Sequence, residues 1–207
     1  MILRNRQWLL ARRPDGLLQA NDLTYRETEL TPTPLEPGQI RIRNRVFQCA
    51  PTMRNWMEAE GSGPYPSIPI GTPIMAPAGA EVIESRHQSF PVGSRLSHIG
   101  SWQDYETLDP DRSASLRRLP EALDLIDALG RFGLNSLTAY FGMLRVAQPQ
   151  RGQTVLVSGA AGSTGSIAAQ IGMIMGCRVI GTAGSPEKCA WLTEKLGLDG
   201  AIDYRTQ

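Results

Sequence analysis

This chain of 207 residues has no excess charge of either sign, no long apolar run and no cluster of metal-ligand residues. Lys plus Arg number 21 against 20 Asp plus Glu, leaving a net charge of +1. No broad field therefore draws nucleic acid or an anionic membrane surface, and a small neutral or mixed-charge ligand is the expected partner. No apolar stretch approaches the ~20 residues needed to cross a bilayer. The opening segment, where Arg4, Arg6, Arg12 and Arg13 surround a short apolar patch, lacks a signal-peptide core. A soluble, cytoplasmic protein without a membrane partner is expected. The three cysteines, Cys49, Cys177 and Cys189, form no C-x-x-C pair and cannot all be bridged, which suits a reducing compartment. They read as small buried hydrophobes. His87 and His98 are the only histidines, and Cys49 is followed by Ala50-Pro51-Thr52, so a tetrahedral Cys/His site is hard to assemble and no metal is expected.

What is present divides by pattern. The first half alternates in short runs broken by Pro and Gly: Gln7 to Arg13, Leu23 to Arg26, Ile40 to Val46, Glu81 to Glu84, Arg95 to Ser97 and Trp102 to Thr107. Many short strands of this kind imply a small barrel or sandwich. A polar connection at Asp109 to Ser115 leads into helical periodicity through Ala122, Leu125, Ile126 and Leu129, then Leu137, Tyr140, Phe141 and Leu144. The expected domains are residues 1–120, β-rich, and 121–207, α/β. Trp56, Trp102, Tyr105 and Phe141 can shape an apolar pocket or pack a core.

The most informative segment is Val155-Leu156-Val157-Ser158-Gly159-Ala160-Ala161-Gly162-Ser163-Thr164-Gly165-Ser166. An apolar strand breaks into a glycine-rich turn, and Ile167, Ile171 and Ile174 then recur at helical spacing. Such an elbow turns the free N–H groups and the positive end of a helix toward a phosphate. Gly162 permits close approach of a diphosphate, and Gly165 permits the helix to pack closely. Ala160 stands where a dinucleotide fingerprint has its first glycine, giving A-x-G-x-x-G. Glycine-rich strand ends also serve as plain tight turns, and here the flanks favour the nucleotide. Gly165 is followed by Ser166-Ile167 rather than Lys-Ser/Thr, which disfavours a P-loop. A second strand, Cys177 to Ala183, completes a strand-helix-strand unit.

No Asp or Glu ends that second strand to receive a ribose 2′-hydroxyl. Instead Ser185 is placed to cap a helix with Pro186 at its first position, followed by Glu187 and Lys188. A helix N-terminus and an ammonium attract a 2′-phosphate that a carboxylate would repel, so the phosphorylated cofactor, NADP(H), is expected. The competing reading is that Lys188 is an ordinary solvated residue of a first turn.

Four stretches together carry a family likeness: Ala50 to Met57; Gly133 to Gly142; Val157 to Gly165; and Gly184 to Cys189 followed by Ile202-Asp203-Tyr204-Arg205. With barrel, linker and elbow in this order, nearly the whole chain resembles the zinc-independent branch of the medium-chain dehydrogenases/reductases. Within that branch it is similar to the NADP-dependent alkenal/one oxidoreductases. The resemblance implies a GroES-like β-barrel domain followed by a Rossmann domain, a doubly wound parallel sheet present here in part. It assigns Gly162, Ser163, Thr164 and Gly165 to the diphosphate, Lys188 to the 2′-phosphate and Tyr204 to the adenosine side. Thr138 is placed near the nicotinamide, and Thr52 and Met53 near the substrate. The family usually has Asp-Pro before Met-Arg where this chain has Ala50-Pro51, and more glycine where Pro77-Ala78-Gly79-Ala80 stands.

The implied reaction is hydride transfer from NADPH to the β-carbon of an α,β-unsaturated ketone or aldehyde, without metal. A quinone is the alternative substrate. A non-catalytic nucleotide-binding or interaction module is a further reading, and a homodimer is left open. No catalytic residue is assigned, because the family's substrate-positioning tyrosine lies beyond Gln207. The chain accordingly reads as the N-terminal portion of a longer enzyme or as a truncated relative, with its central strand left at an open edge.

Overall fold

The computed structural model describes residues 2–60 and 66–206. In β1 (Leu3–Leu10) every second residue is buried from Leu3 to Leu9, but two of these inward positions carry amides, Asn5 and Gln7. Both amides donate to the side-chain oxygen of Gln103, so the inner face of this strand fixes a distant loop by hydrogen bonds rather than by apolar packing. β1 pairs antiparallel with β2 (Leu23–Leu30), from Leu3 opposite Leu30 to Leu10 opposite Leu23.

A second antiparallel sheet is built from β3 (Ile40–Phe47), β4 (Met75–Ser85), β5 (Arg95–Ser101), β6 (Tyr105–Leu108) and β7 (Arg117–Arg118), in the order β6-β3-β4-β5-β7. Ile40, Ile42, Ala80, Val82, Leu96 and Leu116 form a core against one face. β4 starts six residues before the expected Glu81, since Met75 already pairs with Ser101. Its inward positions Ala76, Ala78 and Ala80 are fully buried yet carry little strand propensity, which is why the pattern did not reveal them. No sheet closes among the described residues, so the GroES-like barrel is not shown. β1 does not join the second sheet as a ladder strand; it meets that sheet's loops through isolated bridges, Gln7 with Gln103 and Leu9 with Pro73, and through side-chain bonds such as those to Gln103. A short helix, α1 (Thr52–Trp56), contributes Met53 and Trp56 to a second core with Leu10, Met57, Ile68, Ile74 and Ala76.

The chain divides into two compact units, Met1–Leu129 and Gly130–Gln207. The break falls later than the expected 120/121 because α2 (Leu125–Leu129) packs on the N-terminal unit. Leu125 lies over Gly79, where an added Cβ would stand 3.1 Å from that of Leu125. In the C-terminal unit, α3 (Leu134–Phe141) runs on into a π-helical segment, Gly142–Ala147. There follow β8 (Thr154–Val157), α4 (Ser163–Ile174), β9 (Arg178–Ala183), α5 (Pro186–Ala190) and β10 (Gly200–Asp203). The three strands are parallel in the order β10-β9-β8, with α4 between β8 and β9 and α5 between β9 and β10 supplying the connections that parallel neighbours need. Val157, Ala160, Ala169, Val179, Ala183, Leu192 and Leu198 form their core. Among the described residues no helix is long and apolar enough to cross a membrane.

Candidate functional site

Parallel strands place all their carboxyl ends on one edge, and the loops leaving β8, β9 and β10 carry most of the residues singled out in the sequence. Hydrogen bonds tie these loops together. The Ala160 N–H donates to the Thr182 carbonyl at 3.0 Å, and the Tyr204 N–H to the Ala183 carbonyl at 3.2 Å.

Gly159 turns the chain at the end of β8 with φ +56°, a left-handed conformation that glycine adopts freely. Its carbonyl accepts the Gly162 N–H at 2.9 Å and lies under the first turn of α4. A Cβ on Gly165 would stand 2.4 Å from that oxygen and 2.9 Å from the Ala160 Cα, whereas one on Gly162 would stand 3.2 Å from the oxygen. Gly165 is thus required by close packing of helix on turn, and Gly162 leaves an open approach to the helix end. The first intrahelical bond runs from Ser166 N–H to Gly162 carbonyl, so the N–H groups of Ser163, Thr164 and Gly165 precede the ladder. Gly162 has no side chain to cap them, and the donors and the helix dipole face outward together.

Ala160, the departure from the glycine fingerprint, is accommodated on its other side. It is completely buried, and a Cβ on Gly181 of β9 would stand 2.7 Å from the Ala160 methyl. The glycine has in effect moved to the neighbouring strand.

At the end of β9, Ser185 caps α5: its hydroxyl oxygen accepts from the Lys188 N–H at 3.4 Å. A hydrogen bond from the same hydroxyl holds the Glu187 carboxyl below its ordinary range. Lys188 is exposed, and its ammonium forms no ion pair among the described residues. The Tyr204 ring lies against Gly184, where a Cβ would meet its hydroxyl at 2.5 Å and the Arg205 Nε at 3.4 Å. Gly162, Ser163, Thr164, Gly165, Lys188 and Tyr204 therefore share the carboxyl edge of one sheet.

The remaining positions fall differently. Thr138 is exposed on α3 and donates to its own helix, at the Leu134 carbonyl, 2.8 Å away. From the first turn of that helix, Asn135 donates to the Ser163 hydroxyl at 3.0 Å, a contact with the α4 terminus that the sequence did not single out. Arg205 likewise carries no role in the sequence reading, since residue types alone do not show that it flanks Gly184. Thr52 and Met53 belong to the N-terminal unit. Thr52 is exposed, but Met53 is only 4 % exposed, packed in the α1 core, with its sulfur accepting from the Ala50 N–H. Cys49, expected among the buried thiols, is exposed, whereas Cys177 is buried. Trp56 packs in the core, and Phe141 is half-exposed. Among the described residues no group of three or more His, Cys, Asp or Glu is arranged to hold a metal ion.

A β-rich unit followed by a parallel strand-helix-strand unit with a glycine elbow defines an α/β protein with a Rossmann-like half. The family model for the N-terminal domain of oxidoreductase matches residues 6–116. Over 201 residues the chain is 36% identical to the NADPH-dependent curcumin reductase of Escherichia coli, covering 97% of this chain and 57% of that protein. Over 202 residues it is 35% identical to prostaglandin reductase 1 of Bos taurus, covering 97% and 58%. The solved structure of CurA from Vibrio vulnificus in complex with NADPH superposes with a TM-score of 0.86 at 34% identity, covering 97% of this chain and 58% of that one. The chain belongs to the zinc-independent medium-chain dehydrogenase/reductase family, and spans a little under three fifths of the length of these relatives.

Proposed function

We propose that the chain carries the NADPH site of a reductase acting on the carbon–carbon double bond of α,β-unsaturated ketones and aldehydes. The observation that carries this reading is the α4 terminus: three backbone donors, a glycine-cleared approach, no acid closing the adjoining strand β9 and, beyond it in α5, the exposed Lys188. The N–H groups of Ser163, Thr164 and Gly165 receive the diphosphate, with Asn135 holding the Ser163 hydroxyl in place. Lys188 pairs with the 2′-phosphate, and Tyr204, across Gly184, lines the adenosine side. Bound there, NADPH supplies a hydride for the β-carbon of the substrate. Thr138 is assigned to the nicotinamide end, and Thr52, at the surface of α1, to the substrate side. Met53 supports α1 from beneath.

The N-terminal unit, expected over residues 1–120 and carried on to Leu129 by α2, is read as the substrate-side domain, and the C-terminal unit, expected over 121–207, as the cofactor domain. The bridges at Gln7 and Leu9 support a GroES-like barrel for the first, and the free cysteines support a cytoplasmic setting. The names of the relatives support an enone or enal rather than a quinone as substrate. The test follows NADPH oxidation by the purified protein with a straight-chain alkenal and with benzoquinone. NADPH loss matched one for one by loss of the alkenal double bond supports the reading. Turnover of the quinone alone selects the quinone reductase, and no turnover of either supports the non-catalytic module.

A further inference from the structure

We propose that the Ser163 hydroxyl binds the phosphate on the nicotinamide side of the dinucleotide, and that Asn135 of α3 is the positioning residue that aims it there. The assignment rests on the NADPH reading of the α4 terminus and resolves the diphosphate held there into two unlike halves.

The hydroxyls at the starts of α3 and α4 are used in different ways. Ser136 donates to the Gly130 carbonyl at 3.0 Å, Thr138 to that of Leu134 at 2.8 Å and Ser166 to that of Ser163 at 3.1 Å, so each spends its proton on nearby backbone. The Ser163 hydroxyl instead accepts, taking the Asn135 amide N–H at 3.0 Å, and it donates to no group among the described residues. Its proton is therefore left for an acceptor that a ligand brings, and accepting one hydrogen bond strengthens a hydroxyl as donor of the next. Ser163 is the first residue of α4, so this O–H adds to the backbone N–H groups that precede the helical ladder.

Topology selects the phosphate. Lys188 and Tyr204 follow the carboxyl ends of β9 and β10 and are assigned to the 2′-phosphate and the adenosine. Asn135 belongs to α3, the helix that precedes β8, and shares a helix face with Thr138, three residues on, which is assigned to the nicotinamide end. A dinucleotide running from β9 and β10 to α3 crosses the α4 terminus on the way, and its second phosphate meets the side where Asn135 reaches Ser163. α3 and α4 each begin at a glycine without a side-chain cap, Gly133 and Gly162, so the same hydrogen bond joins two positive helix ends. The two helices are held together further along by Met143, whose methyl group would stand 3.6 Å from a Cβ added to Gly172.

The experiment titrates three ligands calorimetrically into the purified protein and its variants: NADPH, NADH and adenosine 2′,5′-bisphosphate, which lacks the nicotinamide-side phosphate. Asn135→Ala should weaken both dinucleotides by the same factor, about tenfold, and leave the bisphosphate within about twofold. Ser163→Ala should match that loss, and the double replacement should add little to it, since both residues act through one hydroxyl. Asn135→Asp separates positioning from stability. A carboxylate suits the first turn of a helix, so this variant should melt no lower than the unaltered protein. It nevertheless draws the Ser163 proton to itself and repels the phosphate, so NADPH should bind about tenfold or more less tightly. A loss confined to NADPH, an equal loss of the bisphosphate, or dinucleotide affinity that survives Asn135→Asp undiminished overturns the roles of Asn135 and Ser163. Failure of the unaltered protein to bind either dinucleotide overturns the NADPH site itself, which keeps the two failures apart.

Discussion

Gly165 and Gly162 differ by three residues, yet a methyl group should be felt very differently at the two. At Gly165 it would press on the Gly159 carbonyl at 2.4 Å, a backbone atom fixed by its bond to Gly162 N–H. Gly165→Ala should lower stability by roughly 1–3 kcal/mol in a denaturant titration, because helix and turn must move apart. Gly162→Ala, with 3.2 Å to the same oxygen and an ordinary φ of −83°, asks that carbonyl to give by only a few tenths of an ångström, so it should cost less stability than Gly165→Ala and act chiefly on nucleotide affinity. A second residue-scale expectation concerns His98, which is 4% exposed and bonded through Nε2 to the Asn44 side chain. Burial pulls its pKa from 6.5 to about 4. The unfolded chain therefore binds the proton first, and stability is lost as pH falls below 6.5. Glu106, which accepts from Asn44, is pushed up by burial and acts with the opposite sign. In a Glu106→Gln background, stability should thus fall by roughly 2 kcal/mol between pH 7 and pH 5, measured by urea titration at each pH. A flat profile would mean that His98 is not held neutral. Neither member of this network was legible beforehand, since Asn44 and His98 are 54 residues apart and their pairing is purely tertiary.

At the scale of elements, sequence pattern and structure agree best where local chemistry dictates the outcome. The β8-turn-α4 elbow was readable because glycine placement and 3.6-residue periodicity are both local signals. The α5 start was readable from Ser185-Pro186 for the same reason. Ser185→Ala should remove the cap and cost roughly 0.5–2 kcal/mol, visible as a lower melting temperature, and it should also weaken nucleotide binding by loosening the turn that carries Lys188. Long-range packing obscured the rest. The fit of Leu125 over Gly79 assigns α2 to the N-terminal unit, and an alanine-rich stretch conceals the first six residues of β4. Met53, placed near the substrate by the family resemblance, is held in a core with Leu10 and Ile74 that no local window contains. Ala160 in place of the first fingerprint glycine departs from the motif locally, and the compensating Gly181 lies on β9, outside the motif's own window.

For the whole molecule, two compact units of different architecture follow one another, and the chain accounts for a little under three fifths of the length of its relatives. Order of units, parallel topology and family membership were all carried by the sequence, whereas the closed barrel it implied for the first unit is not shown among the described residues. The account rests on discrimination between two nucleotides that differ by one phosphate. Calorimetric titration of NADPH and NADH into the purified protein and into its Lys188→Ala variant tests it most directly. NADPH should bind the unmodified protein about 10–100-fold more tightly than NADH, and the lysine replacement should erase most of that gap while leaving NADH within about twofold. Equal affinities at the outset, or a gap that survives the replacement, would contradict the assignment of the edge at Gly162 and Lys188 to a phosphorylated dinucleotide.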